Sequence, residues 1–388
     1  MATQSLRPCG DFRTTYRQDT AIFDTFNSRW AMILFLALLY VMVLVPILAP
    51  GVEETPVLST LFGPFYNAQY LSLAIQACYW GIAALGLNIL VGFTGQISLG
   101  HAAFFGIGAF GSAYLNNTYG IPVILSIPLA GLIAAAVGLL FGSPAARIKG
   151  LYLAIATLAA QFIIEDLFIR VDWFTGGSYG SLANTVELPG YDFSAGEWVT
   201  LFAFDTDPKF FLFALTVTIV MYVMAANLMR SRDGRAFIAV RDHYLSAEVM
   251  GINLTKYRIL SFGISSFYAG IGGALYGHYL GFVSAEGFTI LLSIQFLGII
   301  IIGGLGSVMG AILGTIFMVL LPEVMAGGVD IIASTDWGNT PMITNGLAFF
   351  KEMAIGAAII LFLIFEPDGL AHRWRLIKAY WKLYPFSY

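Results

Sequence analysis

LNILVGFTGQISLGHAAFFGIGAFGSAYL, residues Leu87–Leu115, sets the reading of the whole chain. It is almost wholly apolar and carries no charge apart from a titratable His101. Yet it holds Gly92, Gly95, Gly100, Gly106, Gly108 and Gly111. Glycine costs about 1 kcal/mol relative to alanine in a helix interior. Such a run needs either close approach between backbones or a helix that breaks.

The surroundings name the solvent. Of 388 residues, 58% are hydrophobic and 11% charged, with mean hydropathy +0.80. Soluble domains carry about 25% charged residues, so this chain cannot cover a water-facing surface, and lipid is its solvent. Cys9 and Cys78 form neither a disulfide framework nor a metal site, and no metal ligands are expected. The first apolar run, Trp30–Ala49, is too long for a signal-peptide core and reads as a retained span.

Spanning helices need roughly 20 apolar residues each. Ten candidates fit: about 30–49, 70–91, 97–116, 122–142, 151–169, 209–229, 259–281, 287–303, 306–325 and 345–365. The expected fold is an all-α polytopic membrane protein of about ten transmembrane helices. Its expected divisions are an N-terminal cytoplasmic tail (1–29), a membrane domain (30–369) and a C-terminal cytoplasmic tail (370–388). With ten spans, all but three of the 19 Lys and Arg fall on one side, the exceptions being Arg170, Lys209 and Lys351. Acidic residues such as Glu53, Asp172, Glu187 and Asp336 collect opposite. Basic loops stay cytoplasmic, so both termini are expected inside. The longest outer loop is then 171–208 and the longest inner one 230–258.

Spans 2–5 start from outside and spans 7–10 from inside. Each half has a glycine-rich break, "GFTGQISLGH" (92–101) and "GGLGSVMG" (303–310). The halves share little sequence, but the plan fits an inverted repeat built on interrupted helices. In the first break, Gly92, Gly95 and Gly100 permit the turn, and Thr94, Gln96 and Ser98 can satisfy the backbone groups it frees. Irregular backbone at membrane depth survives only inside protein or along a wet cavity. Helix packing and a pathway-lining or hinging break are both open readings. Gly303, Gly304 and Gly306 are the counterparts in the second half, while His101 reads as a structural hydrogen-bonding residue beside the turn.

Here the residues carry a likeness. "LGLNILVGFTGQISLGHAAFFGIGAFGSAY" resembles the signature of the inner-membrane permease subunits, M-type, of branched-chain (hydrophobic) amino acid ATP-binding cassette (ABC) importers. "GLYLAIATLA", "TGGSYG", "GRAFIAVRDHYLSAEVMGINLTKYRILSFGISSFYAGIGGALYG", "GGLGSVMGAILG" and "FEPDGL" follow in the family's order across about residues 70–370. The resemblance implies a bacterial inner-membrane subunit that carries branched-chain or other hydrophobic amino acids. Relatives serve urea, short amides or aromatic acids. It also implies a homologous second permease subunit, two ATP-binding subunits and a periplasmic or extracytoplasmic substrate-binding protein as partners.

Segment 230–258 reads as a short amphipathic helix through Phe237, Ile238, Val240, Arg241, Tyr244, Leu245 and Glu248, ended by Gly251. An apolar face there suits a groove on another protein. "SAEVMGI" resembles the motif that ABC permeases dock into their ATPase, which implies coupling roles for Arg235, Arg241, Ala247, Glu248 and Gly251. Outside, Trp173, Gly176 and Gly177 are candidates for docking the binding protein, against an equal reading as an ordinary structured loop. The chain has no G-x-x-x-x-G-K-[ST] phosphate loop and no catalytic constellation. It is expected not to be an enzyme and to hold no cofactor, with ATP and Mg on the partner subunits and no nucleic-acid partner. Glu165, Asp166, Glu286 and Glu323 fall near span ends. The want of a mid-membrane charge argues against a proton- or sodium-coupled carrier.

Overall fold

The computed structural model describes residues 30, 32–41, 68–145, 147–148, 150–184, 207–333, 353 and 355–383. The expected N-terminal tail, most of the outer loop (185–206), and parts of the first and tenth spans, with Lys351, lie outside them. The described helices are α1 (Met32–Val41), α2 (Ala68–Leu87), α3 (His101–Tyr119), α4 (Val123–Ala145), α5 (Leu151–Arg170) and α6 (Asp207–Arg230). Next come α7 (Arg232–Asp242), α8 (Tyr244–Val249), α9 (Leu254–Leu280), α10 (Ile290–Gly303) and α11 (Val308–Ala333). After α12 (Ile355–Phe365), α13 (Leu370–Leu383) closes the series. A two-residue antiparallel pairing joins β1 (Ser181–Leu182) to β2 (Phe282–Val283).

The fold is an all-α polytopic membrane protein. Among the described residues seven helices are long and apolar enough to cross a membrane, or eight if the bent pair α12–α13 is one span. The expected ten is therefore approximate. The first span is described only through α1, too short alone, and the tenth only through its last part. The third, α3, has the length at 19 residues, but its glycines and two asparagines dilute its apolarity. It tolerates this because its first three turns are buried by protein rather than lipid.

α9 is the central helix, packed most extensively on α4, α3 and α2. Lipid tails are as apolar as leucine, so helices in a bilayer associate through close packing rather than the hydrophobic effect. Small residues supply that packing. A Cβ at Gly86 would lie 2.6 Å from Ser265 O, and one at Gly272 2.7 Å from Tyr79 O. The opening run's glycines thus serve close approach within the core, where Gly108 abuts Gly270, as well as the break. α5 and α6 instead face outward along much of their length, with Ile155, Phe162, Val220 and Met224 exposed.

Candidate functional site

α2 does not simply stop. It loosens into one π-helical turn, Asn88–Phe93, all of it buried, and the chain runs irregularly to α3. π-turns inside helices frequently mark functional sites. Backbone groups freed there find side chains. Thr94 Oγ1 donates to Leu90 O at 2.5 Å, and Ser261 Oγ donates to Arg258 O at 2.8 Å. With both hydroxyl protons committed, each hydroxyl oxygen accepts from Gln96 Nε2, at 3.0 and 2.7 Å. Leu99 N donates to Thr157 Oγ1 at 3.0 Å, and Gly100 N to Ser98 Oγ at 3.4 Å. The first amides of α3 are met from other helices: Ala102 N by Ser293 Oγ and Ala103 N by Gln161 Oε1, both at 2.9 Å. His101, buried, donates from Nε2 to Ala83 O at 2.8 Å and meets the Phe296 ring edge-on at 5.5 Å.

The second break lies between α10 and α11. Gly304 (φ +112°) and Gly306 (φ +75°) adopt backbone conformations that side chains resist. Here the partners are backbones. A Cβ at Gly310 would come within 2.6 Å of Gly303 O, and one at Gly304 within 2.9 Å of Asp368 O from the "FEPDGL" stretch. The Asn88 side chain bonds the two breaks together. Asn88 Nδ2 donates to Ser307 O at 2.7 Å, and Asn88 Oδ1 accepts from Gly306 N at 2.9 Å. Gly92 leaves room for this approach, since a Cβ there would lie 3.1 Å from Gly306 Cα.

Segment 230–258 reaches the same junction. Arg241, at the end of α7, donates from Nη1 to Gly92 O at 2.6 Å. Its Nε bonds Asp242 Oδ1 at 2.8 Å. Its Cγ covers Gly95, and its Nη1 lies 3.0 Å from where a Gly306 Cβ would be. A cavity of about 200 Å³ opens beside it, lined by Thr94, Gln96, Tyr244 and Arg258 among others.

One expectation changes here. The segment is two helices broken at His243 (φ −149°, ψ 83°), not one. The apolar face of α7 is already covered, with Ala236, Phe237 and Val240 buried within this chain, so it offers no groove-seeking face. α8 does: its Leu245 and Val249, and Met250 just after it, are 63%, 87% and 81% exposed. Ala247 is buried, Glu248 exposed, and Gly251 ends α8 at φ +83°. Arg235 stays at the surface, bonding Arg230 O at 3.3 Å.

At the other end, Gly176 and Gly177 turn the chain tightly after a single helical turn, Asp172–Thr175. Thr175 Oγ1 ties that turn to Phe168 O at 2.7 Å and receives Gly177 N at 3.1 Å. Trp173 packs edge-on against Tyr114 at 5.7 Å yet is 73% exposed, as is Tyr179 at 91%. His278 fastens the next residues to the core: Nδ1 donates to Asn184 O at 2.6 Å, and Nε2 lies 2.7 Å from Ser112 Oγ.

Residues 69–363 match the family described as branched-chain amino acid transport system / permease component. The chain belongs to that family. It is 33% identical to the high-affinity branched-chain amino acid transport system permease protein LivM of Salmonella typhimurium, over 77% of this chain and 69% of that protein. The LivM of Escherichia coli matches to the same extent. Against the fructose import permease protein FruG of Bifidobacterium longum, identity is 24% over 80% of this chain and 86% of that protein. No solved structure matches. The protein is thus a multi-pass membrane permease subunit of an ABC importer.

In this permease the structure brings Gly92 and Gly306 together with Arg241, and Thr94, Gly95 and Gln96 share a cavity with it. By contrast, Ser98 bonds Gly100 N, Gly100 abuts α5 and His101 bonds α2, while Gly303 and Gly304 pack on Gly310 and Asp368. Ala247, Glu248 and Gly251 sit on the adjoining α8 segment, whereas Trp173, Gly176 and Gly177 form a separate cluster. Sequence reasoning missed Asn88, Thr157, Gln161, Ser261 and Ser293. The available signal was a polar side chain inside an apolar run, a costly placement unless it is bonded.

Proposed function

We propose that this permease carries branched-chain or other hydrophobic amino acids through the bacterial inner membrane, with both termini cytoplasmic. It forms half of a translocation pore with a homologous second permease subunit. Two ATP-binding subunits, which hold the ATP and Mg, dock on the exposed apolar side of α8. A substrate-binding protein delivers from outside, onto the surface around Trp173 and Tyr179. The names of the LivM relatives support the substrate class, and the distribution of Lys and Arg supports the orientation.

The observation that carries the mechanism is Arg241. One side chain on the inner segment touches both glycine breaks, so a push on α8 has a physical route to the helices that would open and close the pore. Gly92, Gly100 and Gly303 are buried within the protomer, which favours a hinge over a pathway lining. Thr94, Gln96, Ser98 and His101 then keep backbone groups partnered around that hinge.

The test is uptake of radiolabelled leucine in cells lacking the gene, with the gene restored, and with Glu248→Arg restored. Unlabelled valine, phenylalanine, urea and benzoate serve as competitors. Uptake restored by the wild type and blocked by valine, but lost with Glu248→Arg at normal membrane levels, supports the reading. Leucine uptake untouched by deletion, in a strain without another leucine importer, would refute the substrate class. Uptake that survives both Glu248→Arg and ATP depletion would refute the ATP-driven mechanism.

A further inference from the structure

The basic C-terminal stretch, expected only as a tail, is a helix, and its two faces differ. At the end of α12 the chain turns through 50° before α13 begins. Glu366 holds the turn by accepting from Arg373 Nε at 2.6 Å. The first residues of α13 sit on the protein: Ala371 is buried, and Leu370 packs on the core. Gly369 and Asp368 lie on the second break, where a Cβ at Gly369 would meet Gly304 Cα at 2.5 Å.

Beyond that point the helix runs off the edge of the molecule. Leu370, Trp374 and Ile377 fall at the spacing of one helical face, and that face leaves the protein with Trp374 and Ile377 43% and 49% exposed. Beside it runs a second stripe, Arg375 and Lys378, and the sequence continues both stripes with Trp381 and Lys382. No acidic residue occurs between 370 and 388. Lys378 Nζ lies 5.6 Å from the Trp374 ring centre, so the two stripes touch. Four basic residues within one short helix exclude the hydrocarbon core, where each is strongly disfavoured. An apolar stripe with Trp, flanked by Lys and Arg, on a helix leaving a membrane-embedded core, is the pattern of a helix lying in the interfacial plane.

We propose that α13 is a membrane-surface helix whose stripe beyond Leu370 (Trp374 and Ile377) enters the headgroup boundary while its basic residues, Arg375 and Lys378 foremost, bind anionic lipid headgroups. The charge pattern favours lipid over a protein groove. Each basic residue near an anionic surface adds about 1 kcal/mol, whereas a protein groove requires acidic partners placed to match. Because Gly369 and Asp368 rest on Gly304, the surface helix also ties the second break to the bilayer.

The test uses the full chain in proteoliposomes, with Cys9 and Cys78 replaced and a spin label introduced at Ile377→Cys or Ala379→Cys. In vesicles of phosphatidylcholine with phosphatidylglycerol, the label at 377 should be reached by oxygen and shielded from an aqueous nickel chelate. The label at 379, on the opposite side of the helix, should show the reverse. Replacing Arg375, Lys378 and Lys382 with Gln removes three charges. The surface-bound to free ratio should then fall about a hundredfold, read as a mobile, chelate-accessible population. Equal chelate access at both positions in the wild-type chain would overturn the proposal. So would shielding at 377 that arises only once ATP-binding subunits are added, which would assign the face to a protein partner. No transport is measured, so an error in the substrate class leaves this result unaffected.

Discussion

The two breaks solve one problem by different means. At 94–100 the freed backbone and helix ends are met by side chains, Thr94, Ser98, Thr157, Gln161 and Ser293, with Gln96 linking Thr94 to Ser261 of α9. At 303–307 the solution is chiefly steric, with Gly303, Gly304, Gly310 and Gly369 letting backbone lie on backbone. Hydroxyls and amides can rotate and exchange partners as a helix moves, leaving few groups orphaned. Stacked glycine backbones have no such freedom. The first break is therefore suited to rearrange and the second to act as a fixed bearing.

That contrast is most severely tested at the second break. Gly310→Val places a Cβ 2.6 Å from Gly303 O and 2.9 Å from Gly304 O, atoms that cannot move aside. We expect destabilisation at or beyond about 3 kcal/mol, seen as lost uptake and reduced membrane levels of the protein. Full activity of this variant would mean that the second break is not a close-packed bearing. Next comes the clamp. Asn88→Ala deprives Gly306 N and Ser307 O of their partner, at about 1–3 kcal/mol for each unmet group. Uptake should fall about tenfold or more while membrane levels fall less than for Gly310→Val.

Arg241→Gln sharpens the comparison from segment 230–258. It removes a charged hydrogen bond worth about 1.5–3 kcal/mol, without touching the exposed face of α8. The reconstituted complex should keep hydrolysing ATP while uptake per ATP drops about tenfold. Parallel losses of both activities would show that Arg241 serves assembly rather than transmission. The smallest effect should come from Ser98→Ala. Its bond to Gly100 N is long at 3.4 Å, so we expect less than a twofold change in uptake, within the usual range of about 0.5 kcal/mol for a minor contact.

Both breaks were legible in the sequence because glycine in an apolar run conflicts with helix propensity, and the conflict is visible locally. The cluster of Arg and Lys likewise marked segment 230–258. What could not be read was which surface covers a given stripe. Phe237 and Val240 have helical spacing whether they dock a partner or, as found, their own chain, because spacing encodes a face and not its occupant. Asn88 was missed for a related reason: it is a single amide in an apolar run, and its partners lie more than 200 positions away. The basic residues after 370 served to orient the chain, which hid the second regularity, a helix with an apolar stripe.

The Asn88 clamp has a mechanical meaning. One hydrogen bond between two segments is a swivel, free to turn about its axis. Asn88 makes two, running in opposite senses to adjacent residues of one loop, and two parallel points of attachment resist torque. A twist imposed on the π-turn would thus be delivered to the α10–α11 loop as rotation rather than dissipated as slip. The two halves of the chain, joined by no covalent link at this depth, are geared together.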